Sequence, residues 1–337
     1  MRSFGGWTVL WIEKYRPASF CGIAGQDRAV ALLRSAAERR TIPHLLLAGP
    51  GGSGRMCAVR CLANALYGEH ADENTTVIAT GDLFAEGRTY LEADDRFSHL
   101  YRKDQSVLVN VKRIVRTYAA IRPLDAEFKL MVFSEADAMP AEMQQALRRT
   151  MERYSRTCRF IFITARQSAI IPAIASRCLP VVFRPLSTGA VTEILRAILA
   201  AEGIEAVPDE ELGMIAVAAH GDVRRAIMLL EIAATSGTPI AFDAFEVTGA
   251  ERSARAVLEA LDGGDMAEAQ RTAESLLIDD GLSGREFLLE LRKAARRGRN
   301  DPALAIALAE TDAELAGGAS EFIQVGALLA RLAEACR

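Results

Sequence analysis

Residues 44–56, His-Leu-Leu-Leu-Ala-Gly-Pro-Gly-Gly-Ser-Gly-Arg-Met, determine the fold of the N-terminal part of this chain. The apolar run at 44–48 passes directly into a glycine-rich turn, which is typical of a buried strand followed by a phosphate-binding P-loop. In the pattern G-x-x-x-x-G-K-[ST], backbone N–H groups surround a phosphate chain, the lysine contacts the outer phosphates and the hydroxyl binds magnesium. Arg55 and Met56 stand at the lysine and hydroxyl positions here. Since magnesium prefers oxygen ligands, the thioether of Met56 cannot replace the hydroxyl.

The composition is that of an ordinary globular protein with room for two or three domains. The chain has 337 residues, of which 50% are hydrophobic and 25% charged, and its net charge is -4. No apolar run reaches the length of a transmembrane helix and the first residues lack the regions of a signal peptide, so we expect a cytoplasmic protein without membrane contact. Six scattered cysteines lack the second pair or histidine that would complete a zinc site, and we predict no metal centre.

Short apolar runs alternate with helical patterns, which predicts an α/β fold with a parallel sheet. A helix is expected over 55–67, and a surface insertion over 81–105, where the sequence is too rich in charge for a core. After residue 186 the pattern becomes helical, with a break at Gly237–Pro239. The predicted strands are 44–48, 76–79, 129–133, 159–164 and 179–183.

The predicted strand at 129–133 ends where a P-loop enzyme needs two acidic residues. In such enzymes one carboxylate usually holds magnesium and the next orients the attacking water. This chain has Ser134 at the first position and Glu135 at the second, within Ser134-Glu135-Ala136-Asp137. The metal-side acid is therefore missing, whereas a candidate base is retained.

Further motifs occur in order along the chain: Trp11-Ile12-Glu13-Lys14-Tyr15-Arg16-Pro17, Gly25-Gln26, the P-loop, Ala136-Asp137-Ala138-Met139, Gln144-Gln145-Ala146-Leu147-Arg148-Arg149-Thr150-Met151-Glu152, Ile171-Pro172-Ala173-Ile174, Ser176-Arg177-Cys178 and Gly221-Asp222-Val223-Arg224-Arg225-Ala226. Together they resemble the small subunits of replication factor C, AAA+ sliding-clamp loaders, in their archaeal form. The resemblance covers nearly the whole chain and is poorest at 81–105. It implies an AAA+ P-loop core over 1–185, a helical lid over 186–246 and an all-α collar for oligomerisation over 247–337.

The resemblance implies a nucleotide site between the core and the lid. Tyr15, Arg16 and Pro17 would line the adenine side, and Arg224 would be the second sensor, which touches phosphate. The first sensor, usually an asparagine, falls at Ala165. The other cofactor-binding positions are those of the P-loop: Gly49, Gly51, Gly52, Ser53, Gly54, Arg55 and Met56.

The same resemblance implies a role for Arg177 in the neighbouring subunit. In family members the arginine of the S-R-C motif is an arginine finger, a guanidinium placed where negative charge builds on the transferring phosphate. Met56, Ser134 and Ala165 lack the groups that organise magnesium and the attacking water, which leaves Glu135 as a vestigial base. The site can thus hold ATP or ADP without turnover or stand empty, and we expect no magnesium in the chain's own site.

A basic cluster in the N-terminal part indicates contact with DNA phosphates. Lys112 and Arg113 can each share a helix face with Arg116, at spacings of four and three residues. A solvated helix face without a ligand is the alternative. Arg148 and Arg149 can face either DNA or a neighbouring subunit. The partners implied by the resemblance are the other clamp loader subunits, the sliding clamp and primer–template DNA.

Three functions remain open from the sequence. The first is a clamp loader subunit that is deficient in hydrolysis and donates Arg177 to the adjacent ATP site. The second is an active AAA+ ATPase in which Arg55 substitutes for the lysine and Glu135 suffices for catalysis. The third is a DNA-binding regulator that has left the clamp loader. The intact Arg177 favours the first function, because an arginine finger without a neighbour has no use.

Overall fold

A parallel β-sheet forms the centre of the N-terminal part of the chain. The computed structural model describes residues 9–123, 126–204, 207–236, 249–279, 281–296 and 302–335. Each strand begins and ends within one residue of its predicted position, so the predicted α/β class is confirmed. The strands are β1 (His44–Ala48), β2 (Thr75–Ala79), β3 (Lys129–Ser134), β4 (Cys158–Thr164) and β5 (Cys178–Val182), in the spatial order β2-β3-β4-β1-β5.

The sheet is buried on both faces because its central strands are apolar at almost every position. Successive side chains of a strand point to opposite faces, so Leu45 and Leu47 belong to one core cluster whereas Leu46 belongs to the other. In the second cluster Phe133 stacks on Phe162, with ring centroids 5.4 Å apart. The two clusters hold a layer of helices on each face of the sheet.

Helices cover both faces of this sheet and complete a three-layer core. Helices α2 and α3 pack on the first cluster, whereas α7 and α8 pack on the second. The predicted helix at 55–67 is confirmed as α3. The helices of this part are α1 (Trp11–Lys14), α2 (Asp27–Glu38), α3 (Arg55–Tyr67), α4 (Thr80–Glu86), α5 (Arg88–Ala93), α6 (Asp95–Ser98), α7 (Val107–Ala120), α8 (Ala141–Arg153) and α9 (Pro172–Ala175).

The prediction of a surface insertion at 81–105 was wrong for most of that segment. Helices α4, α5 and α6 lie there, and they bury Leu83, Leu91 and Phe97, each at 2% exposure or less, in the second core cluster. The charged residues that suggested an exposed loop occupy the outer sides of these short helices, as Glu92 and Arg96 do. Three well-spaced apolar side chains are therefore enough to anchor a segment whose average composition is polar.

A helical lid follows the sheet and consists of α10 (Thr188–Glu202), α11 (Asp209–Ala218) and α12 (Val223–Ser236). Residues 1–240 form one compact unit that contains both the core and the lid. The lid is joined to the core at Leu186, whose backbone N–H donates to the carbonyl of Gly221 at 3.4 Å. The predicted break at Gly237–Pro239 and the predicted lid boundary at 246 lie outside the described residues.

A second unit, residues 241–337, is helical throughout its described residues. It has an apolar core of its own, in which Phe287, Leu291 and Leu328 are fully buried. The helix that begins at Gly284 carries a capping box at its N-terminus. The Ser283 hydroxyl accepts from the Glu286 N–H at 3.3 Å, and the Glu286 carboxylate accepts from the Ser283 N–H at 2.9 Å. Its helices are α13 (Gly249–Asp262), α14 (Met266–Ile278), α15 (Gly284–Arg296), α16 (Pro302–Ala316) and α17 (Glu321–Ala335).

Neither a membrane-spanning helix nor a cluster of metal ligands occurs in the described ranges. None of the helices described there is long and apolar enough to cross a membrane. The same residues contain no group of three or more histidine, cysteine, aspartate and glutamate side chains that could hold a metal ion.

Candidate functional site

Four strands end at one edge of the sheet, where the P-loop and helix α3 begin. Ala48 pairs with Thr164 and Ala79 with Ser134, so the carboxyl ends of β1, β4, β2 and β3 lie side by side. Ligands of open parallel sheets bind outside these carboxyl ends. The N-terminus of α3 adds unpaired N–H groups and a positive partial charge, which attract anions.

The P-loop adopts backbone conformations that require glycine. Gly54, directly before α3, has φ 91° and Gly52 has φ 62°, both in the left-handed region that other residues rarely occupy. Ser53 is buried, and its hydroxyl donates to the carbonyl of Pro50 at 2.8 Å. Gly49 and Gly51 complete this turn. The glycine skeleton predicted from the sequence thus forms a tight loop at the start of a helix.

Met56 does not project from the P-loop as a ligand would. Its side chain and that of Cys57 pack against the first core cluster. Burial raises the pKa of the Cys57 thiol, and the charges of Arg16 and Arg60 oppose the shift. The position that carries the magnesium-binding hydroxyl in the P-loop pattern is therefore part of the apolar packing in this chain.

Arg55 is half-buried, and two charged residues act on its guanidinium. Burial lowers the pKa of its guanidinium, with the negative charge of Asp137 opposing the shift and the positive charge of Arg224 adding to it. The structure therefore brings together the predicted P-loop cation, the predicted lid sensor and a carboxylate from the end of β3. With two arginines and one carboxylate the group is net positive, which suits a phosphate-binding site.

Ser134 and Glu135 follow β3 but offer little to a metal. The Ser134 hydroxyl donates to the backbone carbonyl of Ile78 at 3.4 Å. Glu135 has a left-handed backbone with φ 51°, a conformation that costs about 1 kcal/mol in a residue other than glycine. The Glu135 carboxylate lies against Gly81. A Cβ added to Gly81 would overlap this carboxylate and lie 3.3 Å from Glu135 Cδ. A larger residue at position 81 would therefore require the Glu135 carboxylate to move.

The end of β4 is tied to Asp137, a contact that sequence reasoning missed. Asp137 accepts hydrogen bonds from the Thr164 hydroxyl at 3.0 Å and from the Ala165 N–H at 3.3 Å, and it pairs with Arg166 at 3.4 Å. Burial alone would raise the pKa of Asp137, but these bonds and one from its own backbone N–H hold its pKa below the usual value. Ala165, at the predicted first sensor, contributes a backbone N–H and no polar side chain.

The residues of this site fit a phosphate group better than a magnesium ion. The P-loop, Arg55 and Arg224 supply backbone N–H groups and positive charge, which bind phosphate oxygens. Magnesium needs oxygen ligands in near-octahedral geometry. Met56 has a thioether in place of a hydroxyl and packs against the first core cluster, and the Ser134 hydroxyl already donates to the Ile78 carbonyl. The donor set therefore fits the phosphates of a nucleotide and does not fit magnesium.

The lid is in direct contact with the P-loop through Asp222. A Cβ added to Gly52 would overlap the Asp222 carboxylate and lie 2.9 Å from its Cα. The same carboxylate accepts from the Arg225 N–H at 3.1 Å, an N-terminal cap for the helix that carries Arg224. Asp222 thus fixes the start of α12 against the P-loop, a role that its place in the Gly221–Ala226 motif did not reveal.

The N-terminal motif joins the core to the lid. The Tyr15 hydroxyl and the Lys14 ammonium both donate to Glu202 of α10, each at 2.7 Å. Arg16 pairs with Glu13, and the carbonyl of Pro17 accepts from the Cys61 thiol at 3.7 Å. Tyr15, Arg16 and Pro17, which are predicted to line the adenine side, therefore lie where the first helices meet the lid.

Arg177 lies far along the chain from the P-loop residues and has partners of its own. Its Nε and Nη2 donate to one oxygen of Glu152 at 2.9 and 2.5 Å, and Nη1 donates to the carbonyl of Ala173 at 2.8 Å. Its side chain keeps 30% of its surface exposed. The predicted arginine finger is thus at the surface in a defined orientation.

The three predicted DNA-binding residues occupy three different environments on α7. Lys112 pairs with Glu142 at 2.7 Å, and Arg116 is exposed. Arg113 donates to Gln105 at 2.7 Å and to the carbonyl of Leu100, so its guanidinium braces the segment before α7. The DNA contact of these residues stays a prediction, and the Arg113 guanidinium has hydrogen-bond partners within the chain.

The neighbouring arginines of α8 are both exposed. Arg148 Nε lies 3.8 Å from the Glu152 oxygen that also accepts from Arg177. Arg149 is one position further along the helix. Contact of this pair with DNA or with a neighbouring subunit stays a prediction.

The fold is shared with a known solved structure. The chain is similar to the Aeropyrum pernix ORC1 protein solved in complex with DNA, with a TM-score of 0.52 and 19% sequence identity over 86% of this chain and 82% of that one. At this identity the likeness concerns the fold alone.

Family comparisons and curated relatives agree over almost the entire chain. Residues 25–187 match the family described as DNA polymerase III, delta subunit, and residues 251–331 match the replication factor C C-terminal domain. The replication factor C small subunit of Methanoculleus marisnigri is 36% identical over 96% of this chain and 96% of its own length. That of Thermoplasma volcanium is 32% identical over 96% and 97%. The chain belongs to the replication factor C small subunit family of AAA+ proteins.

Proposed function

We propose that this chain is a clamp loader subunit for DNA replication that does not hydrolyse ATP in its own site and supplies Arg177 to the ATP site of a neighbouring subunit. The relatives named above support the clamp loader assignment. Its partners would be the other small and large subunits, the sliding clamp and primer–template DNA. The chain's own site would take ATP or ADP without turnover and without magnesium.

The position of Met56 carries the first half of this proposal. Its partly buried side chain packs against the first core cluster, and Ser134 offers no carboxylate at the end of β3. Hydrolysis of a nucleotide by P-loop proteins depends on magnesium between the outer phosphates. A site that holds phosphate through N–H groups and arginines, but cannot organise the ion, would bind the nucleotide and leave it intact.

The second half of the proposal, the arginine finger, rests on the position of Arg177. An arginine finger stabilises the charge that develops on the transferring phosphate and increases the rate about 10³–10⁵-fold. The Arg177 side chain is partly exposed and its guanidinium is oriented by Glu152 and Ala173. A neighbouring subunit that docks on this surface would receive a positioned cation for its own ATP.

Contact with DNA backbone phosphates is the third component of the proposal. Arg116 of α7 is exposed, and Lys112 is 24% exposed in its pair with Glu142. Phosphate contacts of this kind fix the position of a protein on a duplex without selecting a sequence. Arg113 would support them from within, because its hydrogen bonds hold the start of α7.

Measurements of ATP turnover on the isolated chain and on the assembled complex test the proposal. We expect no turnover by the isolated chain, and a loss of the neighbouring site's turnover when Arg177→Ala is built into an otherwise complete complex. Arg153→Ala is the matched control, because Arg153 is another exposed arginine from the same region and its guanidinium only lies over the Tyr154 ring, 5.5 Å away.

Two other outcomes would favour the alternatives. Turnover by the isolated chain that disappears in Glu135→Gln would identify an active AAA+ ATPase, with Glu135 as its base. Tight, salt-sensitive DNA binding by a chain that does not associate with other subunits would identify a DNA-binding regulator. An unchanged ATPase rate of the Arg177→Ala complex would reject the arginine finger.

A further inference from the structure

The guanidinium of Arg177 is held by groups from two different helices. Glu152 Oε1, in the last turn of α8, accepts from Nε at 2.9 Å and from Nη2 at 2.5 Å. The carbonyl of Ala173 in α9 accepts from Nη1 at 2.8 Å. Glu152 and Arg177 are 25 residues apart in the sequence. The orientation of Arg177 therefore depends on the tertiary fold and not on its local turn alone.

The hydrogen-bond inventory of Arg177 leaves its outer edge available. A guanidinium has five N–H groups, and Nη1 and Nη2 carry two each. Glu152 and Ala173 accept from Nε, from one N–H of Nη2 and from one N–H of Nη1, and Nη1 also donates to the Ser176 hydroxyl at 3.5 Å. The second N–H of Nη2 therefore remains on the outer edge, where it can donate a charge-assisted hydrogen bond to a phosphate oxygen.

We propose that Glu152 is a positioning residue for Arg177, whose carboxylate fixes one edge of the guanidinium so that the outer edge faces the phosphate of the neighbouring subunit's nucleotide. The inference rests on the proposed role of Arg177 as an arginine finger. A free arginine side chain loses considerable rotamer entropy when it is fixed. Because Glu152 holds the Arg177 side chain, this entropy is already lost before the neighbouring subunit docks. The outer edge of the guanidinium then meets the nucleotide phosphate in one orientation.

The surroundings of Glu152 suit this role. Arg148 Nε lies 3.8 Å from the same Oε1, at a spacing of four residues on α8. Two arginines around one carboxylate leave the cluster with a net positive charge, as a phosphate-facing site requires. The hydrogen bond from Arg177 also holds the pKa of Glu152 below its usual value, so the carboxylate stays ionised at neutral pH.

Glu152 could instead hold Arg177 away from the neighbouring site, and this role predicts the opposite change in ATPase rate. If Glu152 withheld Arg177 from the neighbouring site, removal of its carboxylate would release the finger and raise the rate. Positioning predicts a lower rate instead. The sign of the change in kcat therefore separates the two roles.

A double-mutant cycle on the assembled clamp loader tests the proposal. The ATPase kcat and KM are measured for the unchanged complex, Glu152→Ala, Arg177→Ala and the double variant. We expect Glu152→Ala to lower the kcat of the neighbouring site about 10- to 100-fold with little change in KM, as misplacement of a catalytic group does. Because Glu152 acts through Arg177, the double variant should be no slower than Arg177→Ala alone.

Two further variants guard against indirect effects. Glu152→Gln keeps an oxygen acceptor for Arg177 and should retain more of the rate than Glu152→Ala does. Glu193→Ala removes an exposed carboxylate that pairs with Arg196 at 2.6 Å on the lid, and it should leave the rate unchanged. Assembly of each complex is checked by size-exclusion chromatography.

The cycle distinguishes failure of this inference from failure of the proposed function. If Arg177→Ala lowers the rate but Glu152→Ala does not, or if Glu152→Ala raises it, the positioning role is wrong and the finger stands. If Glu152→Ala lowers kcat by the same factor in the Arg177→Ala complex as in the unchanged complex, the positioning role is also wrong. If Arg177→Ala has no effect, the finger itself is wrong and positioning falls with it.

Discussion

His44, the first residue of β1, should make the protein less stable as the pH is lowered. Its Nδ1 accepts a hydrogen bond from the Phe160 N–H at 3.1 Å, and the two rings pack edge to face with centroids 5.4 Å apart. Burial, with the charge of Arg159 adding to it, lowers the pKa of the imidazole from 6.5 to about 4. The folded protein therefore keeps His44 neutral over a pH range in which an exposed histidine becomes charged.

The sign and size of the effect follow from proton linkage. In the unfolded chain the imidazole takes up a proton below about pH 6.5, whereas the folded protein resists protonation down to about pH 4. The unfolded state binds more protons between these values, so the stabilisation is complete above the unfolded pKa and is lost as the pH falls toward the folded pKa. The full shift corresponds to about 3 kcal/mol, of which about 2 kcal/mol is lost between pH 7 and pH 5.

Urea unfolding at several pH values between 7 and 5 measures this loss. Trp11 lies in the same compact unit as His44, and its fluorescence can report the transition. His44→Asn keeps an acceptor for the Phe160 N–H but removes the titration, so its free energy of unfolding should fall about 2 kcal/mol less than that of the unchanged protein. His99→Asn, at an exposed histidine, is the control. An equal fall in His44→Asn would refute the assignment, because another group would then be titrating.

Three further variants test the nucleotide site, the P-loop packing and the proposed DNA contact. Arg55→Lys combined with Met56→Thr should not restore ATP turnover in a phosphate-release assay, because the metal-side carboxylate after β3 would still be missing. Gly52→Ala should lower the free energy of urea unfolding by about 1–3 kcal/mol, since the added methyl requires a left-handed backbone and meets Asp222. Arg116→Ala should reduce the slope of log binding constant against log salt for duplex DNA by about 1 in fluorescence anisotropy titrations. Turnover by the double variant, unchanged stability or an unchanged slope would contradict the respective expectation.

The sheet could be predicted because its strands are short apolar runs bounded by turns. Leu45, Leu46 and Leu47 are buried on alternating sides of the sheet, so the whole run is apolar and stands out from its surroundings. The glycines after it mark the start of α3 by their backbone requirement. Local composition contains all of this information, and no distant contact was needed to find it.

The segment 81–105 could not be predicted in the same way. Leu83, Leu91 and Phe97 are separated by charged residues and fit no single helical or strand period, because they belong to three short helices with turns between them. Each of these side chains finds its place only once the second core cluster exists. Average polarity is a poor guide where a few anchors are enough to fix a segment.

Side-chain partners were the other part that the sequence could not provide. Arg113 and Arg116 are the same residue type three positions apart on α7, yet one is bonded to Gln105 and the other is exposed. Arg177 was identified by its motif, but its partner Glu152 is 25 residues away. A motif can therefore identify a charged residue, whereas the fold decides what that charge is used for.

Met56 affects the packing of the P-loop as well as its capacity to bind magnesium. Its side chain takes part in the first core cluster beside Cys57, so the residue that removes a magnesium ligand also stabilises the unit. A threonine there would lose part of this apolar contact and bring a hydroxyl against the cluster. Half of a Met side chain's burial is worth about 1 kcal/mol. The two changes in the loop therefore differ in kind: Arg55 retains the charge that phosphate needs, while Met56 adds apolar contact with the first core cluster. A return to hydrolysis would have to replace that contact as well as restore the missing carboxylate.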